Sequence, residues 1–175
     1  KTFVIPNAGR LRDVKRQART ATGTMVYAGI FEPWERVDLA ISSIPYVAKT
    51  RKDAKFLFAG SGSLKPTLSK LVGDLGICDE TSFVGQIPYA KIGNFLVQAD
   101  VALLPSSVDI VRKVACPITL FDYLAVGLPV VSVKGLWWSS FILQNNVGAV
   151  ADSNPESFAD AICNILSDSD RLNAM

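Results

Sequence analysis

The 175-residue chain contains no histidine. That absence excludes Ser-His-Asp and Cys-His nucleophile systems and every His-ligated zinc site. Any general base supplied by this chain must therefore be Asp or Glu. Cysteine is scarce and badly spaced for pairing: Cys78, Cys116 and Cys163 are odd in number, far apart and form no Cys-x-x-Cys pair. Reduced thiols in a cytoplasmic protein are the expectation. There is no Asn-x-Ser/Thr acceptor and no apolar run approaching a membrane span, and the N-terminus lacks signal-peptide architecture. Charge of either sign is limited, at 19% of residues with a net +2.

What is present is apolar: 49% of the residues are hydrophobic, enough for a globular core in one domain of this length. The small net charge is unevenly placed. Arg10, Arg12, Lys15, Arg16 and Arg19, against Asp13, put +4 into ten residues and leave the remainder at −2. A basic arm on a mildly acidic body is a poor nucleic-acid platform. It reads as a solvated linker, with contact to anionic lipid at a membrane surface as the alternative. Residues 1–23 are accordingly set apart as an N-terminal segment, and 24–175 as the domain. The chain opens on Lys1 without an initiator methionine and reads like a domain cut from a larger protein.

Along the chain one pattern recurs: a short apolar strand, a turn rich in Gly, Ser or Pro, then an amphipathic helix. Strands are expected at 24–29, 55–59, 80–84, 100–104, 129–133 and 147–151. Helices are expected at 36–50, 64–75, 89–98, 118–126, 138–145 and 155–167. Alternation of this kind implies right-handed crossovers, hence an α/β fold. The expected form is a single Rossmann-like, doubly wound domain of about six parallel strands with helices on both faces. Ligands of such sheets bind beyond the carboxyl ends of the strands.

Residues 115–135 are the most informative stretch. Pro117 suits a first helical position, Ile118, Phe121, Leu124 and Ala125 recur at helical spacing, and Thr119, Asp122 and Val126 fall on another face. Gly127 and Pro129 stop the helix, and Val130, Val131 and Val133 form a buried strand. A helix start that faces the carboxyl edge favours phosphate, and an acid just over one turn in reaches a ribose hydroxyl. An ordinary αβ unit with a solvated Asp122 fits the same letters. Two other turns carry possible chemistry. Gly60-Ser61-Gly62 follows a strand and lets backbone N–H groups approach a phosphate or sugar, or is a plain turn. Lys65 occupies the place of a third fingerprint glycine and no acid ends the next strand, which excludes a nicotinamide or flavin site. Gly85-Gln-Ile87-Pro88 would offer peptide groups and an apolar face to a planar ligand edge, or act as hinge geometry. Arg112 and Lys113, just ahead of the Pro117 helix, would face an anion at its start or solvate a loop.

Taken in order, the turns resemble one family. Val4-Ile-Pro-Asn7, Phe58-Ala-Gly-Ser-Gly-Ser-Leu64, Phe83-Val-Gly-Gln-Ile-Pro88 and Ala99-Asp-Val-Ala-Leu-Leu-Pro-Ser106 come first. Pro117 to Val131 and Asn154 to Ile162 complete the set. The chain is similar to the C-terminal, donor-binding domain of the retaining group 1 (family 4) glycosyltransferases, which are built from two Rossmann-like domains. The resemblance implies a nucleotide-sugar held between the two domains, for transfer to a glycan or lipid-linked acceptor. It implies the base on the backbone of Ile87, ribose on Asp122 in place of the usual glutamate, and diphosphate at Ile118 and Thr119. Gly29 and Gly60-Ser61-Gly62 would border the donor. No metal or other cofactor is implied, and the chain's own N-terminal domain is the implied partner.

Several positions depart from that pattern. Where the family carries an Arg after the first-strand glycine this chain has Ile30, and where it carries a diphosphate Lys this chain has Glu35, with Arg36 one place out of register. Val114 replaces the first acid, and Thr119 stands where related subgroups have Lys. Arg112, Lys113 and Arg36 are the candidate replacements for the phosphate cations. No catalytic residue is assigned. Two functions stay open: an active donor domain with a rearranged anion site, or a catalytically silent module that binds a nucleotide, a glycan or a protein partner.

Overall fold

The computed structural model describes residues 21–167. The Val4–Asn7 motif and the basic run at 10–19 lie outside them. Six strands form one parallel sheet: β1 (Thr24–Ala28), β2 (Lys55–Ala59), β3 (Thr81–Gly85), β4 (Val101–Leu104), β5 (Val130–Val133) and β6 (Gly148–Ala151). Their spatial order is β3-β2-β1-β4-β5-β6, so the direction of winding reverses between β1 and β4. Right-handed crossovers running both ways from that point place helices on both faces.

The helices are α1 (Val37–Thr50), α2 (Lys65–Asp74), α3 (Tyr89–Leu96), α4 (Ile110–Val114), α5 (Ile118–Ala125), α6 (Trp137–Gln144) and α7 (Pro155–Leu166). Each forms where apolar residues recur at helical spacing next to a start signal. Asn154 caps α7 by accepting from the Ser157 N–H at 2.9 Å, with Pro155 behind it as the first helical residue. The five-residue α4, expected as loop, forms because the Asp109 carboxylate accepts from the Arg112 N–H at 2.9 Å. Pro117 is extended (φ −68°, ψ 121°) and caps α5 rather than entering it. A 3-10 turn, Pro33–Glu35, precedes α1.

All four residues of β4 and of β5 are buried, which explains lettering that is apolar throughout β4 and apolar but for Ser132 in β5. Ser132 is accommodated in β5 because its hydroxyl donates to the Leu104 carbonyl at 2.8 Å and accepts from the Trp138 indole at 2.9 Å. Asp100, fully buried below the amino edge, accepts from the Thr22 and Thr24 N–H groups at 2.8 and 3.0 Å. The link between α4 and α5 is held to α6 by Trp137, whose indole donates to the Ala115 carbonyl, and α5 itself by edge-on contact of Phe121 with Phe141.

At the opposite, carboxyl edge two strand exits touch backbone to backbone. Gly60 has φ +139°, and a Cβ there would lie 1.7 Å from the Gly29 carbonyl oxygen. A Cβ on Gly62 would lie 2.5 Å from the backbone N and O of Phe31. These glycines let the loops after β1 and β2 interlock, through Phe31 N–H to Ser61 carbonyl (2.9 Å) and Leu64 N–H to Phe31 carbonyl (3.0 Å). Gly60→Ala should therefore lower stability by about 2 kcal/mol or more, since both a clash and backbone strain are introduced. Gly73→Ala, at a helical position with nothing within 4 Å, should instead raise it by up to about 1 kcal/mol. Denaturant melts of the two variants check the contrast.

Candidate functional site

A cleft of about 540 Å³ opens at the carboxyl edge, beside the point where the winding reverses. Its floor is peptide: Ala28 and Gly29 leave β1, and Ala59 and Gly60 leave β2. Gly29 N–H donates to the Ala59 carbonyl (3.0 Å) and Gly60 N–H to the Gly85 carbonyl (2.8 Å), so three strand exits are tied laterally. One wall is the turn Gln86-Ile87-Pro88-Tyr89 backed by Ile92 and Leu96 of α3. The facing wall is α5, through Thr119, Asp122 and Tyr123.

Tyr123 sets the position of that wall. Its phenol is fully buried, accepts from the Ala28 N–H at 2.9 Å and lies 3.4 Å from the Leu103 carbonyl. Burial pushes the phenol well above its ordinary pKa, so it stays protonated and uncharged. The neighbouring Tyr27 phenol is raised for the same reason, and donates to the Ile30 carbonyl at 2.8 Å. Next to Tyr123, Asp122 is 7% exposed, and its carboxylate accepts from the Tyr89 hydroxyl at 2.8 Å across the cleft. The solvated Asp122 is not what forms. Asp122 is buried although helical periodicity puts it on the polar side of α5, and the Tyr89 side chain at the start of α3 reaches it across the cleft.

Of the residues singled out in the sequence, Gly29, Gly60, Ile87, Thr119 and Asp122 line this one cleft. Ser61 lies beside it, its hydroxyl accepting from the Gln86 amide at 2.7 Å. Gly62 serves the contact with Phe31, and Ile118 is half exposed at the start of α5. The three candidate cations lie elsewhere. Arg36, in the left-handed region at φ 50°, pairs with Asp38 at 3.1 Å. Arg112 pairs with Glu35, and Lys113 is exposed on α4. Among the described residues, no lysine or arginine lines the cleft. Lys65 sits 3.3 Å above the Phe83 ring, where partial desolvation lowers its pKa.

Sequence reasoning missed Tyr89, Gln86 and the Glu35–Arg112 pair. Tyr89 follows the helix-starting Pro88, a signal that could have placed it at the mouth of the cleft. The ion pair joins residues 77 apart and has no local signature.

Comparison with known proteins gives the family. The profile described as "Glycosyl transferases group 1" matches residues 5–175. The chain belongs to the group 1 glycosyltransferases. It is 25% identical over 174 residues to a GDP-mannose-dependent alpha-(1-6)-phosphatidylinositol monomannoside mannosyltransferase of Mycobacterium tuberculosis, covering 96% of this chain. The match takes in 44% of that relative, so the chain spans less than half the length of the curated protein it resembles. In fold it is similar to the C-terminal domain of a group 1 family protein, LpcC, from Francisella tularensis. There the TM-score is 0.76 at 15% identity, with 91% of this chain and 88% of that one covered. It is also similar to the pneumococcal O-GlcNAc transferase GtfA, solved in complex with UDP and GlcNAc. That TM-score is 0.77 at 15% identity, covering 97% of this chain and 33% of that one.

Asp122→Ala should leave the glycosyltransferase fold intact, because its partner Tyr89 is 47% exposed and can turn to water. If the cleft holds a nucleotide ribose on Asp122, the substitution should weaken it by about 1.5–3 kcal/mol, the range for lost hydrogen bonds to a charged group. Parallel thermal melts and calorimetric titrations separate the two effects.

Proposed function

We propose that this chain is the nucleotide-sugar-binding C-terminal domain of a retaining glycosyltransferase that works without a metal or other cofactor. The observation that carries the reading is Asp122. An enclosed carboxylate, backed by Tyr89 and set over a peptide floor, is suited to accept hydrogen bonds from the paired hydroxyls of a ribose. Ile87 and Pro88 offer an apolar ledge, and the Ile87 peptide an edge, to the base. The start of α5, which has no side-chain cap, directs its N–H groups and dipole at a diphosphate. Transfer to a glycan or lipid-linked acceptor would be completed with an N-terminal domain across the cleft, at the cytoplasmic side of a membrane surface. No helix among the described residues is long and apolar enough to cross a membrane. The mycobacterial relative makes guanine the first base to test, and GtfA makes uracil the second.

A second reading is favoured by charge: a catalytically silent module with a nucleoside cleft and a weakened anion site. Ile30 and Glu35 stand where the family carries Arg and Lys, and the cleft's lining has no cation to replace them.

Titration calorimetry of the chain with GDP, UDP and ADP, each beside its nucleoside, tests both. One diphosphate should bind, exceeding its nucleoside by no more than roughly fivefold, the reach of a helix dipole alone. Ile30→Arg, at a half-exposed position, should tighten the diphosphate by about tenfold or more and leave the nucleoside unchanged. No binding by any nucleotide, in the parent or in Ile30→Arg, would exclude the donor site. The chain alone should transfer no sugar; turnover by these 175 residues would place the active site elsewhere.

A further inference from the structure

β1 lies between β2 and β4, and its two pairings differ. It pairs with β2 along its whole length, Thr24 to Ala28 against Lys55 to Ala59. Against β4 only Met25 and Val26 are in register, with Val101 and Ala102. In a parallel ladder the next bond would run from the Ala28 N–H to the Leu103 carbonyl. The one after would run from the N–H of residue 105 to the Ala28 carbonyl. Residue 105 is proline, which has no N–H to give. The seam between β1 and β4 thus parts at its carboxyl end, at the point where the winding reverses.

The Tyr123 hydroxyl fills the parting. It accepts from the Ala28 N–H at 2.9 Å, and lies 3.4 Å from the Leu103 carbonyl and 3.5 Å from the Ala28 carbonyl. These are the groups that the interrupted ladder leaves over. Leu103 is fully buried, so its carbonyl has no water to turn to. A neutral phenol has one proton to donate and lone pairs to accept, which suits it to both strands at once. Leu120 and Tyr123, three apart on α5, are both fully buried. Asp122 adjoins them and lines the cleft together with Tyr123 and Ala28. The bond into the seam therefore sets where α5, and Asp122 with it, stands over the Ala28–Gly29 peptide. Tyr27 offers the comparison. Its phenol is also buried, but it donates to the Ile30 carbonyl three residues on and bridges no two strands.

We infer that Tyr123 is a positioning residue of the cleft: its hydroxyl replaces a missing hydrogen bond between β1 and β4 and thereby fixes Asp122 over the peptide floor. The consequence for ribose rests on the nucleotide reading of the cleft; the bridge between the strands does not.

NMR of the chain without ligand tests the bridge by itself. The Tyr123 hydroxyl proton should show an Overhauser effect to the Ala28 amide proton, with no scalar coupling from the Ala28 nitrogen to the Leu103 carbonyl carbon. In Tyr123→Phe the Ala28 amide should exchange about tenfold faster or more, while Val26 keeps its rate. A direct Ala28–Leu103 coupling in the parent, or an unchanged Ala28 rate in the variant, would overturn the inference. The parent spectra decide even where Tyr123→Phe does not fold. Calorimetry with GDP and UDP, each beside its 2′,3′-dideoxy analogue, tests the positioning. Tyr123→Phe should weaken the diphosphate that binds by about fivefold or more and its dideoxy analogue by less than about twofold, since only the first presents hydroxyls to Asp122. Tyr27→Phe, which also loses a buried hydroxyl, should keep the parent's ratio of the two. The parent's ratio retained in folded Tyr123→Phe would make Tyr123 a packing residue only and overturn the inference. Failure of both diphosphates to bind the parent would strike the nucleotide reading instead, and the ligand-free spectra would still decide the bridge.

Discussion

Gly29 and Gly60 meet backbone against backbone at the carboxyl ends of β1 and β2, so close that no side chain fits between them. Everything at the functional edge depends on that approach. It brings the loops after the two strands into mutual hydrogen bonding, and it leaves the floor of the cleft as exposed peptide rather than side chain. A peptide floor lets a flat or charged ligand come near the strand ends, the recurring solution in doubly wound sheets. The glycines thus serve packing first and ligand approach through it.

Above that floor the site is arranged by tyrosines. Tyr123 ties α5 to the end of β1 from within the core, and the next side of the same helix turns Asp122 toward Tyr89 on α3. The acid is therefore placed by two elements that are 33 residues apart in sequence and face each other over the cleft. Positive charge is distributed differently from the family pattern. Arg112 reaches Glu35 rather than the cleft, and Arg36 turns back to Asp38, so the proposed nucleotide site would draw its anion affinity from a helix start.

Much of the fold is legible in the lettering because its determinants are local. Val130 to Val133 and Val101 to Leu104 read as strands buried on both faces, and Asn154-Pro155 marks a helix start unaided. Gly29, Gly60, Ile87, Thr119 and Asp122 follow strands or sit in the first turns of a helix, positions that the winding rule gathers at one edge. The rest was set by contacts between distant residues. Asp122 falls on the polar side of α5 by periodicity, yet it is buried and accepts a hydrogen bond from Tyr89, 33 residues away at the start of α3. α4 has no apolar signature in the sequence because it buries none of its residues and depends on the Asp109 cap. The fate of Arg112 turns on Glu35, whose position relative to α4 no local spacing reveals.

The central claim is that the carboxyl-edge cleft is a nucleotide site built on the glycine floor and Asp122. Amide hydrogen exchange with and without saturating nucleoside diphosphate reads this directly. Exchange should slow at residues 28–30, 59–61, 86–90 and 117–123, while the amino edge around Thr22, Arg51 and Asp100 stays unchanged. Slowing confined to the amino edge, or none in the cleft at a concentration where calorimetry shows binding, would contradict the account.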